Sequence, residues 1–180
     1  MDTFVPITYR EYRLLPEGDR RELVEGDFKM TPAPGERHQR ISRNLQFELC
    51  SFLDESETGE LYNAPFDVIL DDTTVVQPDL LVVLPNRKSR IVPEGLRGAP
   101  NLVVEILSPS NPSHDTVLKR RLYEKFGVEE YWLVDPEAES VQVLKARQSQ
   151  FENVAVYGRG DTLESPLLQD LRIDLSRVFR

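Results

Sequence analysis

The chain has 180 residues, 39% hydrophobic and 29% charged, a composition that buries a core and excludes a disordered polypeptide. Its 31 acidic and 22 basic residues give a net charge of −9, which opposes general adhesion to phosphate backbones and leaves room only for a local nucleic-acid site. No run approaches the roughly 20 apolar residues a membrane helix needs, and the lone Cys50 excludes an internal disulfide or a cysteine-based metal site.

One domain spanning residues 1–180 is expected. The first ten residues lack the basic-then-apolar layout of a signal peptide, so a cytoplasmic location is expected too. Thr8 and Glu11 have capping-box spacing and predict a short helix to about Leu15. Residues 22–24 and 28–30 read as a hairpin around Gly26. Ile41, Leu45, Leu49, Phe52 and Leu53 recur at helical spacing and predict a long helix over 36–56. Extended runs follow at 66–70 and 75–84, then a polar loop to Pro100. Residues 102–107 are almost continuously apolar, as in a strand covered on both faces. A helix is expected over 115–126, closed by Gly127. The chain should end with a hairpin (130–134 and 140–144), a strand (151–157) and a helical turn (174–179). The order predicts an α/β fold, one mixed sheet flanked by helices.

The chemistry starts from Glu105, the only polar residue in its apolar strand. A carboxylate there needs an arginine, a solvated edge or a metal. Asp79 follows Pro78 in the 75–84 run, and proline in a strand marks an edge, a start or a bulge. By period two, Asp79 shares a face with Leu81 and Val83, and Glu105 with Val103 and Leu107. Two acids on neighbouring strands, pointing the same way, make the hard oxygen site that Mg²⁺ prefers. Asp115 and Lys119 lie four apart on one helix face. Taken alone they read as a surface ion pair, but their helix begins close to the end of the Glu105 strand. His38 is either a histidine at the core margin or one that faces substrate. Arg37, Arg40 and Arg43 are either solvated surface or the lining of a groove. Tyr123 and Trp132 are assigned to packing.

These residues carry a resemblance. Pro78-Asp79, then Glu105, a helical lysine and the stretch from Gly127 to Pro136 resemble the Uma2 (DUF820) family of restriction-endonuclease-like, PD-(D/E)XK proteins. Glu22-Leu23-Val24, residues 34–38, Ala99-Pro100-Asn101-Leu102, Ser108-Pro109-Ser110 and the segments 173–175 and 178–179 match as well. The parent motif would have lysine two residues after Glu105, where this chain has Leu107. The resemblance therefore nominates Lys119, which should lie within roughly 8 Å of both acids to interact appreciably.

It implies metal-dependent hydrolysis of phosphodiester bonds in nucleic acid, DNA before RNA. Asp79 and Glu105 would hold Mg²⁺ or Mn²⁺, and Lys119 would complete the catalytic set. Glu22, His38 and Asp115 would support it, Glu22 at the metal shell and Asp115 by orienting Lys119. A homodimer is the arrangement implied by nucleases that cut two strands. The competing expectations are a degenerate nuclease fold serving as a nucleic-acid or protein interaction module, and an unrelated metal hydrolase with a carboxylate site.

Overall fold

A computed structural model describes residues 5–16, 18–108 and 114–180; the side chains of His114 and Asp115 lie outside the description. Helix α1 (Tyr9–Tyr12) is held by its capping box, with the Thr8 N–H donating to Glu11 Oε2 at 2.9 Å. Strands β1 (Arg21–Val24) and β2 (Asp27–Met30) pair antiparallel across Glu25-Gly26. Both turn residues have positive φ, 51° and 84°, the geometry of a tight hairpin turn. Gly26 has a second reason: a Cβ there would come within 2.5 Å of Pro6.

Helix α2 (Glu36–Ser56) buries Ile41, Leu45, Leu49 and Leu53 as one stripe. Next come β3 (Glu60–Asn63), β4 (Val68–Asp71), β5 (Thr74–Val76) and β6 (Leu80–Val83). A 3₁₀ turn (Pro85–Arg90) leads to β7 (Ile91–Val92), β8 (Gly95–Arg97) and β9 (Leu102–Ile106). After α3 (His114–Phe126) the chain forms β10 (Glu130–Asp135), β11 (Ser140–Arg147) and β12 (Gln150–Gly158). It ends with β13 (Thr162–Glu164), β14 (Arg172–Asp174) and α4 (Leu175–Val178).

The mixed α/β architecture is as expected, but the strands divide between two six-stranded sheets rather than forming one. Their orders are β2-β1-β5-β4-β8-β7 and β12-β11-β10-β9-β6-β3, and β13 pairs separately with β14. Each large sheet has one parallel pair, β4 with β8 and β9 with β10; α3 makes the crossover a parallel pair requires.

The run read as one strand over 75–84 is in fact β5 and β6, in different sheets, with Gln77-Pro78-Asp79 crossing between them. Pro78 lacks the N–H a continuous ladder would need. The loop expected up to Pro100 contains the 3₁₀ turn and the β7–β8 hairpin.

The second sheet is buried on both faces. Leu80, Val82, Val104, Ile106 and Trp132 pack with the α2 stripe and the C-terminal segment. Leu81, Val83, Val103 and Tyr131 pack on the other face with α3 and residues of the first sheet. That double covering is why β9 reads as a nearly unbroken apolar run. Among the described residues no helix is long and apolar enough to cross a membrane.

Candidate metal and catalytic site

The site lies where the chain passes from one sheet to the other. Leu80 pairs with Val104 in the antiparallel β6–β9 ladder, so Asp79 stands at the ladder's open end, one step beyond Leu80 and opposite Glu105. Both acids belong to the face that carries Leu81 and Val103, as period-two alternation requires. Glu22 comes from β1 of the other sheet, on the same strand face as Val24, which joins this same cluster.

Lys119, in the second turn of α3, has its Nζ 3.1 Å from Glu105 Oε1 and 3.1 Å from Glu22 Oε1. It is 7% exposed overall, so this is a buried ion triad and not a surface pair. The Gln77 N–H donates to Glu22 Oε1 at 2.8 Å, so the segment joining the two sheets also fixes Glu22.

Asp79 is anchored through one oxygen: Oδ2 accepts from the Ile106 N–H at 2.8 Å and lies 3.2 Å from His38 Nε2. His38 thus faces the site and not only the core; its buried Nδ1 has no hydrogen-bond partner among the described residues. Burial pulls the His38 pKa down, yet the hydrogen bond and charge of Asp79 together carry it above its usual value.

Burial pushes the Glu105 carboxyl up to about 7; Lys119 opposes the rise, while the Asp79 and Glu22 charges add to it. Tyr123 O–H donates to Glu105 Oε1 at 2.5 Å, and burial beside that acid raises the phenol well above its usual range. Tyr123 packs in the core as the sequence predicts, but its hydroxyl also serves the site. The available signal was its spacing: Tyr123 is four residues after Lys119, on the same helix face.

The structure thus brings Glu22, His38, Asp79, Glu105 and Lys119 together. The Asp115 side chain, expected to orient Lys119, lies outside the described residues; among the described residues Glu22 and Glu105 both hold the ammonium.

Asp79 Oδ1 and Glu105 Oε2 have no hydrogen-bond donor among the described residues. Asp79 and Glu105, with Lys119, line one cleft of about 480 Å³. No group of three or more His, Cys, Asp or Glu among the described residues is placed to hold a metal ion alone. Two carboxylate oxygens nevertheless fit a cation such as Mg²⁺, which commonly binds through one or two carboxylates and takes the rest of its shell from water and phosphate.

Comparison with known proteins gives the same frame. The model of the Uma2 family, described as "Putative restriction endonuclease", matches residues 9–176. A crystal structure described as a putative nuclease belonging to DUF820, from Anabaena variabilis, superimposes with a TM-score of 0.80 at 23% identity. The match covers 97% of this chain and 98% of that one, and at this identity it speaks for the fold. No curated protein is detectably similar.

Proposed function

The chain belongs to the Uma2 family, and from that premise we propose that it is a metal-dependent nuclease hydrolysing phosphodiester bonds in nucleic acid. The observation that carries this reading is Lys119 Nζ at 3.1 Å from Glu105 Oε1, beside Asp79 in a single cleft. Asp79 and Glu105 would hold Mg²⁺ or Mn²⁺ through Asp79 Oδ1 and Glu105 Oε2, the oxygens with no donor among the described residues. When bound, such an ion lowers the pKa of its water and offsets charge on the phosphate.

The chain's own residues do the rest. The Ile106 N–H and His38 orient Asp79. Glu22 and Tyr123 hold the Lys119–Glu105 pair in place. The Lys119 ammonium then supplies a fixed positive charge and donor for the attacking water or the developing charge on phosphorus. Lysine can do this from a helix because the chemistry depends on where the ammonium arrives and not on which element carries it.

A second reading, an inactive interaction module, draws on one observation: Lys119 already sits between Glu105 and Glu22, neutralising acids a cation would otherwise attract. Calorimetric titration of Mn²⁺ into the wild type and Asp79→Ala separates the two. The nuclease reading expects binding in the wild type that Asp79→Ala removes. Absence of binding in both favours the module.

A further inference from the structure

The cleft also carries information about the shape of what enters it, on the footing that this is a nuclease site. Arg20, just before β1, and Arg43, on α2, line the cleft that contains Asp79 and Glu105. Neither forms an ion pair with a described residue. Arg20 donates to the Pro32 carbonyl at 2.7 Å, and Arg43 donates to the Asn44 amide oxygen at 3.0 and 3.3 Å. Arg37 and Arg40, earlier on the same helix, are bound to Glu137, Glu139 and Glu36.

Asp19, an acid that also lines the cleft, is already matched. Arg21 grips both its oxygens, and those hydrogen bonds hold the carboxyl at about 2. In a chain of net charge −9, two guanidinium groups from separate elements, with no acidic partner among the described residues, offset the negative mean field locally. Phe47, one turn beyond Arg43, is 70% exposed and leaves an aromatic face in water.

We propose that the cleft holds a single, unpaired nucleic-acid strand, with Arg20 and Arg43 on phosphates flanking the one that is cut and Phe47 stacking on a base. Three features favour a strand over an intact duplex. The space is about 480 Å³, the size of a small-ligand site and not of a groove that seats a double helix. The Glu105 side chain within it is only 12% exposed, so a phosphate on a rigid rod would not reach it. Unmatched arginines with an exposed aromatic are the parts of a single-strand track, where backbone charge and base faces are bound without pairing.

The test is fluorescence anisotropy with a short fluorescein-labelled DNA strand, alone and annealed to its complement, in EDTA so that nothing is cut. The strand is expected to bind more tightly than the duplex. Arg20→Ala with Arg43→Ala should weaken strand binding at least about tenfold and reduce the salt slope by roughly 1.4, two phosphate contacts' worth. The double lysine variant should keep that slope, and Phe47→Ala should weaken the strand but not the duplex. Equal affinity for duplex and strand, or unchanged strand affinity in the double alanine variant, would overturn the proposal. Because no arm needs cleavage, strand binding without metal binding would leave this inference standing and sink the nuclease reading. Efficient cutting of intact duplex would do the reverse.

Discussion

On the neighbouring parallel strands β9 and β10 stand two acids with different partners, the partly buried Glu105 and the buried Glu130. Glu130 is fully buried and faces the cluster around Trp132. Its Oε1 accepts from Trp132 Nε1 and Ser165 Oγ, both at 2.7 Å, and its Oε2 from the Leu167 N–H at 2.8 Å. Every oxygen is occupied, all by neutral donors. Glu105 lies on the opposite face, with a cation and a phenol on one oxygen and no described donor on the other.

Burial raises the pKa of both. What separates them is saturation. A buried acid with a neutral donor on each oxygen ties segments together. One that keeps an oxygen with no described donor in a cleft, next to an ammonium and a second acid, is equipped to take a cation.

The contrast is sharpened most by Lys119→Met. Cleavage measured on labelled DNA should fall roughly 10²–10³-fold, the cost of removing one preorganised donor, while Mn²⁺ affinity stays equal or rises because a positive charge leaves the site. Unchanged cleavage would remove Lys119 from the chemistry. On the structural side, Glu130→Ala strands the Trp132, Ser165 and Leu167 donors in the core. Urea unfolding should show a loss of about 3 kcal/mol or more, with Mn²⁺ affinity of the remaining folded protein intact. A loss below about 1 kcal/mol would mean that the clamp relaxes or admits water.

Glu105→Gln is expected to weaken Mn²⁺ binding at least roughly tenfold with stability within about 1 kcal/mol of wild type, since Glu22 still holds Lys119. An amide that binds Mn²⁺ as tightly would make Glu105 structural, like Glu130. The smallest effect is in pH. A raised folded pKa means the folded protein binds that proton more tightly than the unfolded chain, so Glu130 adds stability as pH falls from its raised value toward 4.5. Glu130→Gln should lack this contribution. Parallel stability–pH curves for the two proteins would contradict it.

Legibility in the sequence followed how local each cause is. The α2 stripe, the β1–β2 turn and the cover on β9 are written in periodicity and turn residues. The common face of Asp79 and Glu105 follows from period two. The division of residues 75–84 between two sheets does not, because an apolar run reports burial without saying against what. β3 is only partly buried, and β13 and β14 are three residues each, too short for a pattern to emerge.

Glu130 and Glu105 look alike in sequence, each an acid in an apolar strand. The donors that set them apart include Ser165 and Leu167, 35 and 37 residues beyond Glu130. Glu22 reaches Lys119 across a separation of 97. Contacts of that range exist only once the sheets have met.

The central claim is that Asp79 and Glu105 share one cation beside Lys119. A crystal structure of the protein soaked in Mn²⁺ tests it most directly, through the anomalous signal of the metal. The account predicts a peak about 2.1–2.2 Å from Asp79 Oδ1 and Glu105 Oε2, an ordinary length for a small hard divalent ion on carboxylate oxygen, with Lys119 still on the Glu105 side of the cleft. A Mn²⁺ peak elsewhere, or none in the cleft at saturating metal, would contradict it.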